Sequence, residues 1–243
     1  MLLMKRIVFI LAMMIGCFAI NAKTLIVYYS YTNNVEKIVD ELSKKIDAEV
    51  IEIEPAEKGL DYAANNYAIG SAQIAAIRNN PDDSSSYPPI DPVTADLSDF
   101  DTIIVAAPLW WSQMAAPLQT YLFQNGKEMA GKNIGLIVSS ASSGISGVEA
   151  DAKRLIPNGK FLNPSLWIRS SQTPDASSLL DNWLNEIHYK DIATGVDLID
   201  MDVWSDFTVY SLSGRQLMYK SKSIDVLQPG LYIINGNKTC ITR

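Results

Sequence analysis

The stretch KTLIVYYSYTNNVEKIVDEL, Lys23 to Leu42, decides how this chain is read. Its opening run, Lys23 to Ser30, is β-branched, aromatic and aliphatic, with no polar alternation. A strand with one wet face alternates, so an unbroken apolar run fits a strand covered on both faces, as inside a parallel sheet. The run passes directly into Tyr31, Thr32, Asn33 and Asn34. Beyond them Val35, Ile38, Val39, Leu42 and Ile46 recur at helical spacing with charges between, an amphipathic helix. Ala48 to Ile53 reads as a second short strand. Strand, turn, helix and strand make a βαβ unit.

The pattern repeats outward from this unit. Asp61 to Asn79 reads as a helix, and Pro81 to Pro92, rich in Pro, Asp and Ser, as a loop. Thr102 to Ala107 is a third buried strand ending at Pro108, and Ala115 to Gln124 a helix with Pro117 in its first turn, where a missing N–H does little harm. Asn133 to Ser139 is a fourth strand, Val148 to Leu155 a helix, and Phe161 to Ile168 a fifth strand. Ser177 to Ile187 closes the series, with Leu179, Leu180, Trp183, Leu184 and Ile187 as its apolar stripe. The expected fold is α/β, a doubly wound five-stranded parallel sheet with right-handed crossovers. After Tyr189 the composition shifts. Phe207 to Leu212, Gln216 to Tyr219 and Pro229 to Gly236 are strand runs separated by turn residues, so 190–243 is expected to be a linker and a small β appendage.

In open α/β sheets ligands bind beyond the carboxyl ends of the strands, and three unusual segments fall there. Ser30 to Val35 packs hydroxyls and amides into a strand-to-helix turn. A helix start offers free N–H groups and partial positive charge, so Ser30, Thr32, Asn33, Asn34 and Val35 can cradle a phosphate without Lys or Arg. Ordinary capping by Thr32 or Asn33 is the plainer alternative. Pro108 to Pro117, PLWWSQMAAP, places Trp110 and Trp111 after a buried strand, flanked by Pro108, Leu109 and Ser112. A tryptophan there can stack on a planar heterocycle, or simply pack beneath the loop. Ser139 to Gly147, SSASSGISG, offers donors and close backbone approach at Ser139, Ala141, Ser142, Ser143 and Gly144, unless it is a surface loop. Together the three describe one pocket with an anion cradle, a stacking wall and a polar rim, which suits a phosphorylated aromatic cofactor.

Composition narrows the field. Nearly half of the 243 residues are apolar and the net charge is −7, enough for a core and against nucleic acid, which needs clustered cations. Lys5 and Arg6 precede an apolar run, Ile7 to Ile20, too short for a bilayer span and followed by Ala22. This fits a signal peptide over 1–22, and hence export to the periplasm, the cell envelope or the medium with no transmembrane helix in the mature chain. An uncleaved anchor and lipid attachment at Cys17 are the alternatives. Cleavage would take the charge from −7 to −9 by removing Lys5 and Arg6. The cysteines are Cys17 and Cys240 and the lone histidine is His188, so no Cys- or His-based metal site is expected.

The stretch LIVYYSYTNNVEKIVDEL resembles the first strand, phosphate loop and first helix of the flavodoxin-like family, in particular its exported bacterial members. DTIIVAAPLWWSQMAAPL is similar to that family's Pro-x-Trp-Trp block, and NIGLIVSSASSGISG to its third flavin-contacting loop. The resemblance covers roughly Lys23 to Ile187. It implies FMN as cofactor: Ser30, Thr32, Asn33 and Asn34 on the phosphate, Trp110 and Trp111 flanking the ring, and Ser139, Ser142, Ser143 and Gly144 along its other edge. It also implies electron transfer with a redox protein, a quinone or a nicotinamide. Three positions depart from the family pattern: Asn33 and Ser112 where Gly is usual, and Val35 where Thr is usual. The change at Ser112 weakens the case for one-electron exchange. The tail from Val203 to Arg243 resembles short C-terminal sorting modules on exported proteins of the Bacteroidetes, carried by VYSLSGR and PGLYI.

The leading expectation is an FMN-dependent redox protein in which no side chain need act as catalytic acid or base. The alternative is a flavin-free module that keeps the fold on the cell envelope, motivated by Val35 and Ser112. A serine hydrolase would need a base, and His188 lies at a helix end with no Gly-x-Ser-x-Gly elbow in the chain. A response regulator would need acidic Mg²⁺ ligands after the first strand, and a P-loop NTPase a Lys after its Gly-rich turn.

Overall fold

A computed structural model describes residues 22–193, 206–224 and 226–241. Strand β1 (Thr24–Tyr28) is buried along its whole length, the outcome the unalternated run demands. Its side chains still alternate between faces. Leu25 and Val27 join one core, and Ile26 and Tyr28 the other. The second strand of the centre, β3 (Thr102–Trp110), divides in the same way, with Ile103 and Val105 on one face and Ile104 and Ala106 on the opposite one. Each core is closed by helices. Helix α1 (Asn34–Ser43) turns Val35, Ile38, Val39 and Leu42 inward, beside Leu180 and Trp183 of α5 (Ala176–Glu186). Helices α3 (Ala116–Asn125) and α4 (Ser146–Leu155) cover the other face, with Ile74 and Ile77 of α2 (Ala64–Asn79).

The main sheet has the order β2 (Glu49–Glu52), β1, β3, β5 (Asn133–Ser140), β6 (Lys160–Phe161), all parallel along this path. The order reverses between β1 and β3, where the chain switches from building outward on one side to building outward on the other. Five unbroken strands were expected; seven segments are found. The fifth position is shared by β6 and β7 (Leu166–Arg169), both alongside β5, because Pro164 interrupts the run and cannot donate to a ladder. The seventh segment is β4 (Gln113–Met114), antiparallel to the end of β3. Strand β3 also runs through Pro108, where the sequence pattern ended it. Its register with β1 stops at Ala106, so the missing N–H of Pro108 leaves no partner on β1 unpaired.

Helix α2 departs most from expectation. Asn65, Asn66 and Tyr67 are all left-handed, with φ of 49°, 55° and 61°. Asn tolerates this region, whereas for Tyr it is strained, at about 1–3 kcal/mol. A short helix, α6 (Tyr189–Ala193), runs across the boundary expected at 189–190. The tail is the expected β appendage: an antiparallel sheet in the order β11 (Asn237–Ile241), β10 (Gly230–Ile234), β8 (Phe207–Ser211), β9 (Gln216–Ser221). Its final strand is a gain over the sequence reading. Phe207, Val209, Ile224, Leu227, Ile234 and Ile241 form a core of its own. The expected leader over 1–22 and Cys17 lie outside the described residues, save Ala22. Among the described residues no helix is long and apolar enough to cross a membrane.

Candidate functional site

A cleft of about 700 Å³ opens where β1, β3 and β5 end, inside the range of roughly 300–1,000 Å³ that cofactor pockets occupy. Its floor is the turn after β1. Asn33 is left-handed (φ 59°) and stands at the N-cap of α1 without a side-chain capping bond. Its role is backbone geometry, which Asn supplies at lower cost than most residues. Its carbonyl accepts from Lys37 N at 3.1 Å, and Ser30 Oγ accepts from Glu36 N at 3.3 Å. Asn34 and Val35, the other first-turn residues, line the cleft, and N–H groups of a first turn have no intrahelical acceptor. Thr32 Oγ1 accepts from Asn34 Nδ2 at 3.1 Å. A hydroxyl that is already accepting keeps its own hydrogen to give. The turn therefore presents donors: two backbone N–H groups at the positive end of a helix, and the hydroxyls of Ser30 and Thr32. Among the described residues no charged side chain lines the cleft.

The wall comes from the end of β3. Leu109 pairs with Met114 and Trp110 with Gln113, so Trp111 and Ser112 form a two-residue hairpin turn, both left-handed at φ 47° and 64°. Such primed turns favour Asn-Gly, and each non-glycine residue costs about 1–2 kcal/mol. The strain is held by a brace behind the turn. Asp151 Oδ2 accepts from Met114 N at 2.9 Å, and Gln119 Nε2 donates to Met114 O at 2.7 Å. Arg154 ties both together, donating to Asp151 Oδ1 at 3.0 Å and Gln119 Oε1 at 2.8 Å. The Ser112 carbonyl lies against Gly147 so closely that a Cβ there would be 1.8 Å from its oxygen. Trp110 both lines the cleft and packs, edge-on to Tyr29 at 5.6 Å and tilted on Tyr62 at 4.8 Å. Trp111 is 45 % exposed on the rim, its ring within 3.0 Å of where a Cβ on Gly70 would stand. Burial pushes the phenols of Tyr29 and Tyr62 up, Tyr29 more strongly, so both stay neutral.

The third side is the end of β5. Ser139 and Ala141 line the cleft, and so does Ser140. Ser140 Oγ accepts from Trp167 Nε1 at 2.8 Å and donates to Ser143 O at 2.9 Å, which closes the loop. Of the residues expected at the site, Ser30, Thr32, Asn34, Val35, Pro108, Leu109, Trp110, Trp111, Ser139 and Ala141 come together in the lining. Asn33, Ser112, Ser142, Ser143 and Gly144 do not. The Ser112 carbonyl faces Gly147 of α4 while the residue itself is exposed, and Ser142, Ser143 and Gly144 are exposed beyond the Ser140 anchor. Sequence reasoning missed Tyr31, Ser140 and Ser170, and the contribution of Tyr62, Ala63, Tyr67 and Gly70 from around the start of α2. A lone glycine inside a helical pattern was a usable signal at Gly70; nothing local marked the rest. His188 is outside this lining.

The family model described as flavodoxin matches residues 23–187. The chain belongs to the flavodoxin family. No curated protein sequence matches it. Among solved structures, a candidate flavoprotein from Bacteroides eggerthii shares 20 % identity at a TM-score of 0.55, covering 69 % of this chain and 99 % of its own. A flavoprotein from Lactobacillus acidophilus, solved in complex with FMN, shares 24 % identity at a TM-score of 0.51, covering 65 % and 99 %. A candidate flavoprotein from Bacteroides uniformis shares 22 % at 0.52, covering 66 % and 99 %. At these identities the likeness speaks for the fold, and the flavodoxin sheet order and the cleft at its switch point agree with it.

Proposed function

We propose that the cleft binds FMN and that the chain exchanges electrons with a redox protein or a small-molecule acceptor through it. The observation that carries this reading is the meeting, in a cleft with no charged side chain among the described residues that line it, of a donor-rich anion cradle and a tryptophan wall. The cradle fits a phosphate dianion, because every group named there donates or can donate. Trp110 and Trp111 fit a flat ring, and the apolar contacts of Leu109, Val35 and Tyr62 would keep water from it. The bound flavin supplies the redox chemistry; the protein supplies its position and surroundings. Ser30, Thr32 and the N–H groups of Asn34 and Val35 would hold the phosphate. The left-handed turn at Trp111 and Ser112, braced by Asp151 and Arg154, would hold the wall in place.

We place this activity outside the cytoplasm, on the leader-like composition of 1–22 and the sorting-like tail. The chain then works as two units, 23–189 carrying the cofactor and 190–243 attached to it. Purified protein should be yellow and release FMN on heating, and apoprotein titrated with FMN should lose tryptophan fluorescence. A colourless protein whose fluorescence ignores micromolar FMN is a flavin-free module, and the redox assignment is then wrong. Export is tested separately by the mass of protein recovered from the native cell, which should begin at Lys23.

A further inference from the structure

We infer that Thr173, from a turn far along the chain, is a positioning residue that sets the phosphate specificity of the cleft; the inference rests on the FMN reading above. Thr173 lies in the 3₁₀ turn Ser170–Asp175 that follows β7, is 9 % exposed, and donates from Oγ1 to Asn34 Oδ1 at 3.3 Å. Asn34 in turn donates from Nδ2 to Thr32 Oγ1 at 3.1 Å. The two bonds run in one direction: hydroxyl to amide oxygen, then amide hydrogen to hydroxyl oxygen.

That direction matters because a carboxamide has an accepting and a donating side of nearly the same shape. With Thr173 donating to its oxygen, as it does here, the amide turns its NH₂ toward Thr32. Thr32 then accepts from the protein, and its single hydrogen is left for the cleft. Without the Thr173 hydroxyl the amide oxygen loses its donor, and turning over to offer that oxygen to Thr32 supplies another. The Thr32 hydrogen would go to Asn34, and a lone pair would face the phosphate. Among the described residues no cation lines the cleft to compensate, so the orientation of one hydroxyl counts. The same turn contributes Ser170 to the lining, which keeps the Thr173 segment in register with the site it orients.

The test compares FMN with riboflavin, which has the ring and lacks the phosphate, using tryptophan fluorescence on the full chain. Thr173→Val preserves shape and removes the donor; Thr173→Ser restores it. Thr173→Val should weaken FMN by about 3- to 10-fold, the worth of one hydrogen bond, and change riboflavin by less than twofold. Thr173→Ser should return FMN to within about twofold of wild type. Placed on Thr32→Val, Thr173→Val should have no further effect, since the relay ends at Thr32. The inference is overturned if Thr173→Val leaves FMN unchanged, weakens both flavins alike, fails to be rescued by Ser, or adds fully to Thr32→Val. If Thr173→Val does not fold, Thr173→Ser and Thr173→Ala carry the same comparison. Wild-type protein that binds neither flavin would instead remove the FMN reading, and this one with it.

Discussion

Gly147→Ala is the most informative single change, because one methyl group links the stability of the fold to the shape of the cleft. Gly147 is in the first turn of α4 with ordinary helical backbone, so alanine is welcome there on propensity, by up to about 1 kcal/mol. The obstacle is steric: the new Cβ would stand 1.8 Å from the Ser112 oxygen and 3.0 Å from its carbon. The oxygen must retreat by at least about 1.2 Å to reach the 3.0 Å below which Cβ contacts are essentially unknown. It belongs to backbone in a strained turn fixed to Asp151, so it cannot step aside as a flexible side chain would. Overpacking of this kind costs about 1–3 kcal/mol. Set against the propensity gain, a net loss of about 1–2 kcal/mol should lower Tm by roughly 2–8 °C in a chain of this size. Trp111 shares the turn and would move with it. Losing part of one aromatic contact, worth about 0.5–1.5 kcal/mol, should weaken FMN by about 3- to 10-fold. Gly144→Ala is the control, since nothing lies within 4 Å of its Cβ. Calorimetry and fluorescence titration of both variants decide the matter. If Gly147→Ala matches Gly144→Ala in Tm and affinity, the idea that α4 holds the tryptophan turn is refuted.

Three further outcomes are expected. FMN affinity should fall as pH drops through about 6, the second phosphate pKa, because a cradle of N–H and hydroxyl donors prefers the dianion; riboflavin binding should be flat over that range. Trp183→Ala should destabilise the fold by about 3–5 kcal/mol in denaturant titration, since the side chain is fully buried against Gly135 and its Nε1 donates to Pro164 O at 2.8 Å. Deleting 206–243 should leave FMN affinity within twofold of wild type, because β8 to β11 enclose a separate core; a larger loss would show that the tail takes part in the site.

Much of the fold was legible in the chain. Buried parallel strands announce themselves as unalternated apolar runs, and α1 and α5 carry apolar stripes that only a helix can bring together. The polar turn after β1 was legible for the same local reason: Ser30, Thr32 and Asn34 lie within a few residues of one another, and their hydrogen bonds are local. The third loop was not. Its serines look alike in sequence, and the choice of Ser140 over Ser142 and Ser143 depends on Trp167, which arrives from another strand.

The amino-acid sequence by itself determined the alternation of strands and helices, the polar turn into α1 and the presence of two tryptophans at a strand end, because each is written in neighbouring residues. Tertiary structure alone decided which tryptophan packs and which stands on the rim, what covers the cleft from α2, and how Thr173 reaches Asn34. Those are contacts between segments tens of residues or more apart, and no local period or turn preference records which side chain will meet which once the sheet has brought them together.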